Sequence, residues 1–430
     1  MKIIIHRGTR EIGGNCVELI SSGLRILIDF GMPLVDSVSE QFDADLLKGK
    51  SIETLKKEKI LADIKGLYPG EEKPIDAILI SHSHLDHYGL LSYINKEIPV
   101  YMSKGAHKMI NVSNLFLSRK SLSIKPSIIR AKKSFNIGSM KITPYVVDHS
   151  AFDALAFLIE DGDKRIFYSG DFRGHGRKRQ LFENMVKYPP DKIDCLLMEG
   201  SMLGRGDQNY PDENAVQHRI EEILKKNYNI TFFSASSQNI DRLVSAYKAC
   251  LKTDSIFVID IYTAFVLEQA GTVSKRIPQF NWKNVKIQFT KYHADILADG
   301  GYRGLLYVYN KRKIDLFEIN RKKKRILMMA RDNSVFPNMI KKIKGINGAK
   351  FIYSMWEGYL TDKFKSYCRE KGIEMEMVHT SGHAVIEDLK RFAGAIDPKV
   401  LVPIHTFLPE KYPDLFENVK ILKDEESLTV

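Results

Sequence analysis

The chain has 430 residues, 44% of them hydrophobic and 27% charged, which is too long for one ordinary core and excludes a disordered chain or a collagen-like fibre. Lys and Arg number 65 against 53 Asp and Glu, a formal charge of +12, and residues 301–350 alone hold 14 of the former against 3 of the latter. A basic field so concentrated favours a polyanionic partner such as nucleic acid. No apolar run approaches the roughly 20 residues of a membrane span, and the first six residues are too short an apolar start for a secretory signal. The four cysteines are scattered without CxxC spacing, which excludes a disulfide scaffold and fits a reducing cytoplasm.

In chain order, 25–28 and 75–80 read as short buried strands that run into polar clusters, the pattern an α/β sheet places at its active edge. The charged, partly helical stretch 36–73 reads as a decoration between them. Helix follows after residue 106, then strands at 139–147 and 165–169. From about 205 the rhythm changes to strand 229–233, helix 239–251, strand 255–261, helix 264–270, strand 325–330, helix 338–343, strand 349–353, helix 361–371 and strand 373–378. Such alternation predicts a parallel sheet covered by helices. Residues 205–375 therefore read as a separate α/β unit set inside a domain formed by 1–204 and 376–430. The closing part adds strands and a helix over 384–396, with Leu389, Phe392, Ala393 and Ile396 on one face.

The strongest chemical signal is Ser81-His82-Ser83-His84-Leu85-Asp86-His87-Tyr88-Gly89, directly after an apolar strand. On a turn leaving that strand, His82 and His84 point together while Asp86 and His87 reach a second position nearby. Imidazoles and carboxylates suit zinc and related divalent ions, and burying four such groups unpaired would be costly.

This run resembles the HxHxDH motif of the metallo-β-lactamase superfamily. Asp29 in Leu27-Ile28-Asp29-Phe30-Gly31 is similar to the family's first motif, an aspartate that supports the ligands from behind; His149 and Asp171 are similar to its third and fourth motifs. Farther along, Glu199, His383 and His405 stand in stretches that resemble motifs A, B and C of the β-CASP group of nucleases, in its ribonuclease J-like, RNA-acting branch. The resemblance covers nearly the whole chain. It implies an α/β fold, an αββα metallo-β-lactamase sandwich with an inserted α/β β-CASP domain.

The resemblance further implies two divalent metal ions, Zn²⁺ first and Mn²⁺ as the alternative. His82, His84 and His149 would hold one, Asp86, His87 and His405 the other, and Asp171 would bridge. Asp86, His383 and Glu199 are the implied catalytic residues, with His383 a proton donor or phosphate ligand oriented by Glu199. The implied reaction is hydrolysis of single-stranded RNA by a metal-activated hydroxide, leaving 5′-phosphate and 3′-hydroxyl ends. Ser234, Ser236 and Ser237, at a strand-to-helix turn, resemble the family's phosphate-facing turn, although a plain helix cap is the competing reading. Arg331 and Ser334 stand where bacterial relatives carry a Gly-Ser-Gln-Gly loop that is absent here. The basic segment 301–350 is expected to track the RNA backbone, His175 to lie on a surface loop, and His379 to be a strand or supporting residue. Rival readings are an ester or thioester metallo-hydrolase, a DNA-acting nuclease, and a binding subunit with vestigial catalysis. Cleavage mode, direction and oligomeric state stay open.

Overall fold

A computed structural model describes residues 1–35, 41–117, 124–205 and 210–430. Two sheets face each other in the first and last parts of the chain. One has seven strands in the order Ser427–Thr429, Lys2–Arg7, Cys16–Ser21, Leu24–Ile28, Ala77–Leu79, Val100–Ser103, Ser127–Ile129. The other has six, in the order Val400–Ile404, Cys195–Glu199, Lys164–Tyr168, Leu155–Asp161, Met140–Val146, Phe135–Ile137. Period-two alternation makes the layers. Ile26 and Ile28 of one sheet and Cys195 and Leu197 of the other enter a shared inner cluster with Phe157, Ile159 and Val402. Their neighbours point outward: Leu27, beside Ile78 of the next strand, packs under Leu55 and Ile110 on one side, and Leu196 and Met198 under Phe182, Leu389 and Phe392 on the other. The result is a four-layer sandwich with helices on both outer faces.

The ends of the chain close the first sheet. Strand Ser427–Thr429 runs antiparallel to Lys2–Arg7, and the Met1 amino group donates to the Val430 carbonyl.

A third sheet has six strands, all parallel, in the order Val285–Gln288, Ile256–Asp260, Ile326–Met329, Thr231–Ser234, Lys350–Tyr353, Glu374–Met377. A parallel sheet is buried on both faces, and its strands read as continuous apolar runs for that reason. Phe233, Ile259 and Met329 enter one apolar cluster; Phe232, Val258 and Met328 enter the other. Met109, Val112 and Phe116 of helix Lys104–Phe116 belong to the first of these clusters, so a helix of the sandwich forms part of the wall on which the third sheet is seated.

Several boundaries move. The helix expected over 338–343 spans Val335–Ile340, because Pro337 is accommodated in the first turn. The helix expected from 384 begins at Ile386. Residues 291–322, of which 301–322 read only as part of a basic segment, form Lys291–Leu297, a π-helical turn Ala298–Tyr302, Arg303–Asn310 and Leu316–Lys322. Of the decoration at 36–73, residues 36–40 lie outside the described residues; the rest holds the short helices Ala44–Leu47 and Ile52–Lys57.

Candidate metal centre

Several strands of the two facing sheets deliver their polar ends to one place. His82 follows Ala77–Leu79; the turn then enters the short helix Leu85–Tyr88, which carries Asp86 and His87. His149 follows Met140–Val146, Asp171 follows Lys164–Tyr168, Glu199 ends Cys195–Glu199, and His405 directly follows Val400–Ile404. Two of these corners need unusual backbone. Asp29 and His405 sit at φ of 61° and 52°, a region non-glycine residues rarely adopt and which clusters at functional sites. Gly31 is required by close approach, since a Cβ there would lie 1.6 Å from the Asp86 carbonyl oxygen.

Ligand-type atoms of His82, His84, His149 and Asp171 form one group, and those of Asp86, His87, Asp171 and His405 a second, each with all atoms within 4.8 Å of one another. Asp171 belongs to both. Its Oδ2 is 3.6 Å from His82 Nε2, 3.2 Å from His87 Nε2, 3.9 Å from His149 Nε2 and 3.6 Å from His405 Nε2. His82, His87, His149 and His405 are fully buried. Yet Nε2 of His82, His87 and His405 and both oxygens of Asp171 have no hydrogen-bond partner among the described residues. Orphaned buried polar atoms are expensive, and five converging on one point, all of metal-ligand type, fit divalent ions.

The outward ring nitrogens are held. His87 Nδ1–H donates to Asp29 Oδ2 at 2.7 Å and His149 Nδ1–H to the Gly382 carbonyl at 2.7 Å. His82 Nδ1 meets Ser81 Oγ at 3.0 Å, and His405 Nδ1 meets Asn15 Oδ1 at 3.0 Å. Such partners fix the ring orientation that a metal ligand needs. Burial, then the neighbouring imidazoles, hold His82, His149 and His405 well below their usual pKa, and burial brings His84 to about 4. All four are thus neutral, the form that binds a cation. For His87 burial pulls the same way, but the Asp171 and Asp29 carboxylates outweigh it and raise it.

His383 stands beside this centre, 21% exposed. Its Nδ1 is 3.0 Å from Glu199 Oε2 and 3.7 Å from Asp171 Oδ2. Burial lowers its pKa, and Glu199 followed by Asp171 carries it above the ordinary value. Glu199 is fixed in turn by the Phe172 and Ser201 amides.

The loop carrying His383 is gripped by two fully buried arginines that nothing in the sequence singled out. Arg173 Nη1 donates to the Ser381 carbonyl, and Arg242 Nη2 to the Thr380 carbonyl. Arg242, on helix Ile240–Lys252, also reaches Glu213 and the Ser354 carbonyl and hydroxyl. Arg173 is paired with Asp241 at 2.7 Å and Asp148 at 3.4 Å. His175, expected on a surface loop, is instead buried between Asp388 and the Ser381 carbonyl, because the chain after Asp171 turns inward beneath that loop. His379 packs against Arg242.

At the carboxyl edge of the third sheet, Ser237 Oγ bonds Thr263 and Arg331, and Arg331 also pairs with Asp260. Ser234 is buried with its hydroxyl unpartnered among the described residues, Ser236 and Ser334 are exposed, and Arg331 is 28% exposed. The basic run Arg321–Arg325 lies elsewhere. It precedes strand Ile326–Met329, Arg325 pairs with Asp254 ahead of Ile256–Asp260, and Lys323 donates to the Lys344 and Gly345 carbonyls. That is the amino-terminal edge of the sheet, opposite the one that reaches His383. Asn15, Tyr168, Arg173 and Arg242 are the site-building residues that sequence reasoning missed; only Asn15, after a Gly-Gly turn, left a local trace.

Residues 61–218 match the family model of the beta-lactamase superfamily domain. Ribonuclease J of Helicobacter pylori is 24% identical over 416 residues, covering 94% of this chain and 56% of that protein. Transcription termination factor FttA of Methanothermobacter thermautotrophicus is 22% identical over 323 residues, covering 68% and 46%. The chain thus spans about half the length of these curated relatives. A crystal structure of an Enterococcus faecalis V583 protein of unknown function superposes with a TM-score of 0.79 at 22% identity, covering 100% of this chain and 99% of that one. Residues 61–218 thus match the beta-lactamase superfamily domain, and the curated relatives support the β-CASP nucleases as the family that the chain resembles.

Proposed function

We propose that the protein is a metal-dependent ribonuclease that hydrolyses single-stranded RNA and leaves 5′-phosphate and 3′-hydroxyl ends. The observation that carries this reading is the pair of ligand groups sharing Asp171, with His383 and Glu199 beside them. A pair of divalent ions bound there supplies a nucleophile from water at neutral pH and clamps phosphate oxygens. His82, His84 and His149 would hold one ion, Asp86, His87 and His405 the other, and Asp171 both. Zn²⁺ is the expected metal from the five imidazoles, with Mn²⁺ the alternative. As water oxygen bonds to phosphorus and the bond to the 3′ oxygen breaks, that leaving oxygen needs a proton. His383, oriented by Glu199 at 3.0 Å, is placed to give it or to hold a phosphate oxygen.

RNA is preferred to DNA because His405 occupies the motif C position and because relatives bear ribonuclease names. Ser236, Ser334 and Arg331 are the groups of the third sheet open to a phosphate chain, with Ser234 and Ser237 buried behind them. The proposed division is a lactamase domain from 1–204 and 376–430 with a β-CASP unit at 205–375, strand Glu374–Met377 running across the closing boundary. Among the described residues no helix is long and apolar enough to cross a membrane, and a cytoplasmic setting suits the four unpaired cysteines.

Purified protein with Zn²⁺ or Mn²⁺ should cleave 5′-labelled single-stranded RNA, should discriminate against matching DNA and a thioester, and should lose cleavage in His84→Ala. Thioester turnover without RNA cleavage, or RNA binding without turnover in either metal, would overturn the proposal.

A further inference from the structure

The segment Arg173–Arg179, just past Asp171, carries Arg173, Arg177, Lys178 and Arg179. Three of these cations are already held. Arg173 is ion-paired with Asp241 and Asp148, Arg177 bonds the Gln217 amide oxygen and the Ser245 hydroxyl, and Arg179 pairs with Glu183 at 3.2 Å. Lys178, half-buried, has no carboxylate at ion-pair distance among the described residues. Its ammonium makes one long hydrogen bond, 3.4 Å to the His149 carbonyl, and an ammonium has three donors. A half-buried charge is poorly screened, and it costs stability until an anion reaches it.

The backbone fixes where that cation stands. The Lys178 amide donates to Asp148 Oδ2 at 3.2 Å, and the Arg177 amide to Asp241 Oδ2 at 3.3 Å, on the first turn of helix Ile240–Lys252. A Cβ on Gly176 would lie 2.2 Å from Asp148 Oδ1, so glycine lets the loop press this close. Lys178 thus lies at the seam between the sandwich and the third sheet, beside the metal centre. The carbonyl it bonds belongs to His149, whose Nε2 is 3.9 Å from Asp171 Oδ2. The covalent reach across that one residue keeps the ammonium within about 10 Å of the ligand nitrogen.

We infer that the Lys178 ammonium binds a phosphate adjoining the scissile one. The inference rests on the RNA-hydrolysing reading above and names one contact that aligns the substrate. Divalent ions meet the charge of the scissile phosphate, so a cation set to one side of them is left for its neighbour. The contact reads charge and no base, so it tolerates any sequence. One such contact to a single strand contributes about 0.7 to the salt slope of log affinity, which is about 5-fold at about 0.1 M salt.

The test is a set of RNA hexamers, each with one linkage made neutral as a methylphosphonate. They are cleaved by wild type, Lys178→Met, Lys178→Gln and Lys178→Arg, with metal content measured on each. Wild type should show KM raised about 5-fold when a linkage adjoining the cleaved one is neutral. Lys178→Met and Lys178→Gln should raise KM on intact RNA by that factor, lower its salt slope by about 0.7 and show no further penalty at that linkage. Lys178→Arg should restore all three, and metal content should match wild type throughout. A penalty that persists in full in Lys178→Met, intact-RNA KM and salt slope equal to wild type, or metal lost together with binding overturns the contact and leaves the ribonuclease reading standing. Lys178→Gln behaving as wild type does the same, because its amide keeps a donor for the His149 carbonyl and lacks the charge. Wild type that cleaves no intact hexamer in Zn²⁺ or Mn²⁺ overturns both.

Discussion

Asp29 never reaches the ligand groups, yet four hydrogen bonds converge on its carboxylate, from the Ser81 amide and hydroxyl, the Tyr168 hydroxyl and His87 Nδ1. The last of these decides chemistry. By accepting from Nδ1–H, Asp29 keeps that proton on Nδ1, so that Nε2 of His87, facing Asp171, is the nitrogen left to bind a cation when it gives up its own proton. Asn at this position keeps the shape and can offer N–H where a carboxylate accepts, so the ring loses its fixed tautomer. Asp29→Asn should therefore bind metal about 10- to 100-fold more weakly while staying folded. Competition against a chelator, read beside circular dichroism, checks both halves of that expectation.

Strand ends and one arginine explain how the third sheet is tied to the centre. Arg242 is fully buried with Glu213, and its removal would leave that carboxylate with only the 3.5 Å pairing to Arg173 and the Ser245 hydroxyl. Arg242→Met should cost roughly 3–5 kcal/mol of stability, measurable by urea unfolding, and should lower cleavage through the loosened loop of His383. Acid should act on the same knot. Burial, then Arg242, brings His379 to about 3; its unfolded value is about 6.5, so the folded state keeps it neutral. Stability from this source is complete above about pH 6.5 and is lost as pH falls toward 3. Burial alone would raise Glu213, but Arg242 and Arg173 bring it to about 2, which adds a loss below about pH 4.3. His379→Gln should flatten the fall in melting temperature between about pH 6.5 and 4.5 and leave the steeper fall below it. None of this knot was legible in the sequence, because Arg173, Glu213, Arg242 and Thr380 meet only through the fold. His82 to His87 were legible because they fall within six residues of one turn, and the strands because apolar runs end in polar clusters. The helices at 291–322 were obscured by Gly300 and Gly301 and by surface lysines that carry no periodic signal.

On the scale of the molecule, charge and site separate. The basic segment 301–350 is expected to track RNA; within it the run Arg321–Arg325 lies at the amino-terminal edge of the third sheet, and several of its cations are engaged by Asp254, Glu318 and backbone carbonyls. Neutralising Arg321, Lys323 and Lys324 should leave kcat and KM on a short RNA unchanged, since no phosphate at the centre meets them. A raised KM on that short substrate would return the run to the binding surface.

Anomalous diffraction at the zinc or manganese edge addresses the central claim most directly. Crystals grown with the metal should give two peaks, one among His82, His84, His149 and Asp171 and the other among Asp86, His87, Asp171 and His405, and Asp171→Asn should weaken both. A single peak outside these groups, or none in protein that cleaves RNA, would contradict the account.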